Sequence, residues 1–161
     1  VLRVFARIRK KFDVELKMAG QPPGPELISL IRELDLTRYI HFVVNPEDDQ
    51  IVELYHKAVL LLFPSIYEGF GWPPLEAMSC GCPVVCSTAG SLPEVVGEAA
   101  LKSSAVNYDQ MAENCIAVFE DAELANKLVQ KGYEQVKKLE RSGRELINVY
   151  MKAIGKLTID N

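Results

Sequence analysis

Apolar residues recur along the 161-residue chain with two alternating periods. Over Val1–Phe12, Val1, Val4, Phe5 and Ile8 stand at helical spacing with Arg3, Arg7 and Arg9 between them. Val14–Met18 then alternates apolar and polar and runs into Ala19-Gly20, which predicts a strand feeding the loop Gln21-Pro22-Pro23-Gly24-Pro25. Glu26–Leu36 returns to the helical period through Leu27, Leu30, Ile31 and Leu34, and Ile40–Val44 reads as a short strand. The cycle repeats: Asp48 or Asp49 caps a helix carrying Ile51, Leu54 and Tyr55. The unbroken apolar run Ala58–Phe63 that follows suits a central strand covered on both faces.

The next helix begins near Pro73-Pro74, where the first-turn N–H groups have no helical partner to lose, and ends at Gly81. Pro83–Ser87 is the next strand. Ser91-Leu92-Pro93-Glu94 has capping-box spacing for another helix, and Ala99-Ala100-Leu101 fits a last, short strand. From Asn107 the chain is helical, with Met111, Cys115, Val118 and Phe119 on one stripe and Leu124, Leu128 and Val136 on another. Gly143 is expected to break this region, leaving Leu146, Val149 and Tyr150 to pack from a final helix. Strands alternating with helices of roughly ten residues imply right-handed crossovers, a mostly parallel sheet and helices on both of its faces.

Composition narrows the class without changing that picture. The chain has 48% apolar and 25% charged residues, with 18 Lys+Arg against 22 Asp+Glu for a net charge of −4. One domain over residues 1–161 is expected, burying roughly two thirds of its unfolded surface without need of disulfides. The acidic balance and dispersed cations do not make the basic face that nucleic-acid binding requires. Cys80, Cys82, Cys86 and Cys115 read as reduced, buried thiols, and Cys80-Gly81-Cys82 lacks the spacing of a zinc site. The longest uncharged run, Ala77–Pro93, contains Pro and Gly and cannot span a membrane as a helix. Charge continues after the first basic residues, unlike a signal peptide, so a cytoplasmic location is expected. The opening helix looks entered midway, as in a sequence that starts inside a longer protein.

Candidate chemistry gathers where strands run into helices, the edge at which open parallel sheets bind ligands. The segment Ser65–Glu76 joins the most apolar strand to a helix, and Gly69 and Gly71 remove side chains where a ligand would approach the backbone. A helix start favours phosphate. Yet Glu68 precedes the glycines and Glu76 falls in the first turn, and carboxylates there make sense as acceptors from sugar hydroxyls. The bland alternatives are that Gly69-Phe70-Gly71 is only a tight turn and Glu76 only a favourable charge at a helix start. Ser87-Thr88-Ala89-Gly90-Ser91 supplies small hydroxyl residues and a second helix start as a neighbour to the same ligand.

Glu68-Gly69-Phe70-Gly71, then Leu75-Glu76-Ala77-Met78, Gly81, Pro83-Val84-Val85, Gly90 and Pro93-Glu94-Val95-Val96-Gly97 resemble the E-x7-E signature region of the group 1 (family 4) retaining glycosyltransferases. The likeness covers nearly the whole chain, including Leu54-Tyr55 to Ala58 and Pro64-Ser65. The resemblance implies the Rossmann-like, C-terminal donor-binding domain of a two-domain GT-B enzyme, with the N-terminal acceptor domain and this domain's first strand outside the sequence. It implies a nucleotide diphosphate sugar as donor and hexosyl transfer, with retention, to a glycan or lipid-linked acceptor, as in polysaccharide biosynthesis. Carried over by position, Glu76 would accept hydrogen bonds from the ribose and Glu68 would position the transferred sugar. The backbone around Gly69, Phe70, Gly71 and Trp72 would hold the diphosphate and sugar. No metal cofactor is implied, because helix N-termini and basic side chains stabilise the leaving diphosphate in this architecture. Implied partners are the donor, the acceptor and the protein's own N-terminal domain, through which peripheral membrane association is possible; nucleic acid is not among them.

Two features depart from the family pattern. The Gly-Arg…Lys segment whose cations bind the diphosphate has no match, and Arg3, Arg7, Arg9, Lys10 and Lys11 are expected to form a solvated helix face instead. Without that segment and the acceptor domain, the 161 residues alone are expected not to turn over. The loop Gly20–Pro25 is also longer and richer in proline than in relatives. Trp72 packs within its loop or walls the sugar pocket, while His41 and His56 read as structural. The rival readings are a GT-B module that binds nucleotide sugar without transferring it and a nucleotide-sugar epimerase of GT-B architecture.

Overall fold

The computed structural model describes residues 1–157, with side chains through Glu145 and that of Ile147. In chain order the elements are α1 (Leu2–Arg9), β1 (Leu16–Gly20), α2 (Pro25–Glu33), β2 (Ile40–Val44), α3 (Asp48–Lys57) and β3 (Leu61–Phe63). They continue through α4 (Trp72–Ser79), β4 (Val84–Ser87), α5 (Leu92–Val96), β5 (Ala100–Ser103), α6 (Tyr108–Glu120) and α7 (Ala122–Leu157).

Every strand pairing is parallel, as helical crossovers require. The strands form two ladders rather than one continuous sheet: β1 pairs β2 from Leu16↔Ile40 to Gly20↔Val44, and β3, β4 and β5 pair in that order. In β4, Val84 and Cys86 face one cluster with Leu75, Ala77 and Met78 of α4 and Val95 and Val96 of α5. Val85 faces the opposite cluster with Met111, Ala112, Cys115 and Val118 of α6. Successive strand residues point to opposite faces, so these clusters are the two sides of the sheet and the domain has three layers. The early part of α7 contributes Leu128 to the second cluster, and Val136 and Leu139 pack on the first.

α1 joins the two ladders. Its Val4 and Ile8 belong to the α6 cluster, whereas Leu2 and Phe5 pack with Ile31, Leu36 and Ile40 around the β1–β2 pair. Its cations are not merely solvated. Arg7 pairs with Asp109, and Lys11, in the turn just after the helix, pairs with Glu120, tying α1 and its following turn to both ends of α6. Arg9 pairs with Asp13 at 2.5 Å and lies 3.6 Å over the Tyr39 ring.

Several boundaries differ from the sequence reading for local reasons. β3 is only Leu61–Phe63 and half-buried, because it lies at an edge of its ladder; β4, paired on both sides, is the strand buried at all four residues. Glu47, rather than Asp48 or Asp49, stands at the N-cap of α3, its N–H bonded to the Gln50 side chain at 3.0 Å. α7 does not break at Gly143. A helical glycine costs only about 1 kcal/mol relative to alanine, and Arg141–Glu145 and Glu140–Arg144 pairs bridge that turn. The break in the helical region falls earlier, at Asp121, whose carboxylate accepts from the Leu124 N–H at 2.9 Å. The packing expected of Leu146, Val149 and Tyr150 lies outside the described side chains.

Candidate functional site

Residues 64–71 carry the chain from β3 into α4. Gly71, the N-cap, has φ +107°, and a Cβ there would stand 2.9 Å from Leu92 Cδ2, so its glycine is fixed by backbone conformation and packing. Gly69 has nothing within 4 Å of the position a Cβ would take, and is the glycine that leaves open space. Pro73 and Pro74 occupy the second and third helical positions and have no N–H to offer. The donors at this helix start are therefore those of the loop and first residue. Among the described residues, the N–H groups of Gly69, Phe70, Gly71 and Trp72 donate to no protein acceptor.

The second loop holds the first in place. Ser87 is fully buried at the end of β4, and its Oγ donates to the Ser65 carbonyl. Ser65 Oγ donates to the Tyr67 carbonyl at 2.7 Å and Ser91 Oγ to the Phe70 carbonyl at 2.8 Å. Gly90, at φ +55°, lies so close that a Cβ would come within 2.3 Å of the Glu68 carbonyl oxygen. The expected capping box at Ser91 does not form, because its hydroxyl is used across the gap between loops. Ser87 and Ser91 thus bond to the glycine loop rather than standing free for a ligand.

Glu68 is half-buried beside Gly71, and Glu76 is exposed on α4. Glu76 is the fifth residue of the helix, in its second turn, so attraction to the helix start does not account for it. It accepts a 3.1 Å hydrogen bond from the Tyr55 hydroxyl of α3. Burial and the nearby Glu76 charge push the Tyr55 phenol far above its ordinary pKa, keeping it a donor. Trp72 is 65% exposed, and its ring packs 4.8 Å from that of Phe70 in the same loop. Ile66 and Tyr67 are also exposed, giving the site an apolar rim.

Sequence reasoning placed Tyr55 on the apolar face of its helix and among the positions that carry the family likeness, without a role at the site. The available signal was a hydroxyl-bearing aromatic where Leu or Ile would have packed as well. The anchoring serines were signalled by small hydroxyl residues following a strand too apolar to reach solvent.

The remaining reactive side chains have structural settings. His41 Nε2 lies 3.3 Å from Glu15 Oε2 on the exposed side of β2. All four cysteines are free, and burial pushes the thiols of Cys82 and Cys115 up to about 12 and that of Cys86 up to about 11. Among the described residues, no three His, Cys, Asp or Glu side chains group closely enough to hold a metal ion, and no helix is long and apolar enough to cross a membrane.

A family model described as glycosyl transferases group 1 matches residues 1–135. The chain belongs to this family. A relative, the O-antigen chain mannosyltransferase B of Escherichia coli, is 39% identical over 115 residues, 70% of this chain and 29% of that protein. The chain spans well under half the length of the curated relatives it matches. Among solved structures, the C-terminal domain of a group 1 glycosyltransferase, LpcC from Francisella tularensis, superposes with a TM-score of 0.71 at 25% identity, covering 84% of this chain and 77% of that one. Anabaena HepE, solved in complex with UDP and glucose, superposes with a TM-score of 0.75 at 21% identity over 92% of this chain and 44% of that one. The fold is that of the GT-B glycosyltransferases, and this chain is the C-terminal domain.

Proposed function

We propose that this domain binds a nucleotide diphosphate sugar and that the whole protein transfers the sugar, with retention, to a glycan or lipid-linked acceptor. The observation that carries the reading is the loop 65–72. It is pinned from behind by Ser87, Gly90 and Ser91, carries a run of unpartnered N–H groups, and is flanked by Glu68 on one side and Glu76 on the other. The N–H groups of Gly69, Phe70, Gly71 and Trp72 suit the diphosphate, and fixed donors of this kind stabilise the charge that develops on the leaving group. Glu68 suits the hydroxyls of the transferred sugar, which it positions and stabilises electrostatically, and Glu76 suits those of the ribose. The exposed indole of Trp72 forms a wall. UDP and glucose bound to the structurally similar HepE support a donor of this class.

The acceptor site belongs to an N-terminal domain of the whole protein, and the reaction takes place in the cleft between the two. Mannosyl transfer, as to an O-antigen chain, fits the names of several relatives, and four free thiols fit a cytoplasmic compartment.

The test is an amide-resolved NMR titration of this chain with UDP, GDP and ADP and their glucose or mannose conjugates to millimolar concentration. One nucleotide should shift residues 69–76, and Glu76→Ala should remove the response. A response confined to other surfaces would overturn the reading. Product analysis of the full-length protein should find a new glycosidic bond with the donor's anomeric configuration.

A further inference from the structure

We infer that Tyr55 is a positioning residue for this site: its hydroxyl holds the Glu76 carboxylate in the orientation that receives the two ribose hydroxyls. The inference rests on the donor reading above and names what aims Glu76. Tyr55 lies near the end of α3, half-buried against the cluster that includes Ala77, Met78 and Cys82. A packed aromatic ring with two side-chain torsions fixes where its hydroxyl sits. Glu76 is exposed and has three torsions, so on its own it would sample several rotamers. The 3.1 Å bond to Oε2 selects among them.

The stoichiometry of acceptors suits a diol. An ionised carboxylate offers about four acceptor positions on two oxygens. The phenol takes one on Oε2, leaving Oε1 whole and a position on Oε2, two adjacent acceptors for two adjacent hydroxyls. Nothing else among the described hydrogen bonds engages the Glu76 carboxylate.

Phenylalanine at position 55 keeps the ring packing and removes only the donor, so Tyr55→Phe isolates the proposal. The 161-residue chain would be titrated with UDP and GDP, and with the 2′,3′-dideoxy counterpart of whichever binds, as wild type, Tyr55→Phe and Glu76→Gln. Tyr55→Phe should weaken the ribonucleotide about fivefold, the loss of one ordinary hydrogen bond, while leaving the dideoxy nucleotide and the melting temperature unchanged. Equal weakening of both ligands would mean a merely structural tyrosine, and no change would mean an idle contact. Either overturns the assignment, and if Glu76→Gln still abolishes the ribose preference, the donor reading stands without it. A wild type that binds neither nucleotide, or shows no ribose preference, overturns the role of Glu76 and this inference together.

Discussion

The two ladders of this domain are built from similar residues and buried very differently. In the β3–β4–β5 ladder the middle strand is covered along its whole length by α4 and α5 on one face and α6 on the other. In the β1–β2 pair only Ile40 is buried, and Lys17, Ala19, Gly20, His41 and Val44 are exposed. The first ladder ends in the glycine loop and its anchoring serines; the second ends in the proline-rich segment 21–25. Burial is thus concentrated behind the loop that the proposed function uses, where fixed dipoles would stabilise a charge only if they did not reorganise around it.

Cavities should separate the halves most widely. Met111→Ala empties a fully buried site against β4 and should cost about 2–5 kcal/mol, whereas Met18→Ala, half-exposed in β1, should cost under about 1.5 kcal/mol, both read from urea denaturation. Similar losses would show that the two ladders share one core.

Within the more buried half, the glycines should divide by what surrounds them. Gly90→Ala forces a methyl into the Glu68 carbonyl at a positive φ and should cost about 1–3 kcal/mol and blunt the nucleotide response. Gly69→Ala meets open space and should change stability by less than about 0.5 kcal/mol. Equal effects would mean that the second loop does not hold the first.

The thiols probe the same burial through pH. Burial disfavours the thiolate and pushes the Cys82, Cys86 and Cys115 thiols up to about 12, 11 and 12 from the ordinary 9.0. The stability from keeping them neutral is complete below pH 9.0 and is lost as pH rises toward 11 and 12. The urea midpoint should therefore fall between pH 8 and pH 10, and less so in a Cys82→Ala/Cys115→Ala variant. The smallest effect belongs to the turn just after α1: Lys11→Ala should cost about 0.5 kcal/mol, a difference that 1 M salt removes.

The alternation of helix and strand was readable because amphipathic periods are local. Burial in the sheet was not. Ala58–Phe63 is more apolar than Pro83–Ser87, yet β3 lies at an edge and β4 at the centre, since strand order depends on crossovers that no window of residues contains. Gly143 was misleading for the opposite reason: its penalty is local and small, about 1 kcal/mol, and a helix that continues on both sides absorbs it. At the candidate site, Glu68, Gly69, Gly71 and Glu76 stood out by type and spacing. Tyr55 did not, because the α3–α4 contact that brings it to Glu76 joins positions 21 residues apart in the chain.

On the proposed donor reading, the paired prolines at the start of α4 bear on where the anion-binding N–H groups reside. An ordinary helix carries its own ring of donors and brings it along wherever the helix is transplanted. Here two members of that ring are missing, and the rest belong to a loop whose shape is imposed by Gly90 and by the hydroxyls of Ser87 and Ser91. The loop is a tertiary object: a peptide copied from residues 65–80 would contain Glu68, both glycines and Glu76 but none of the residues that impose the loop's shape.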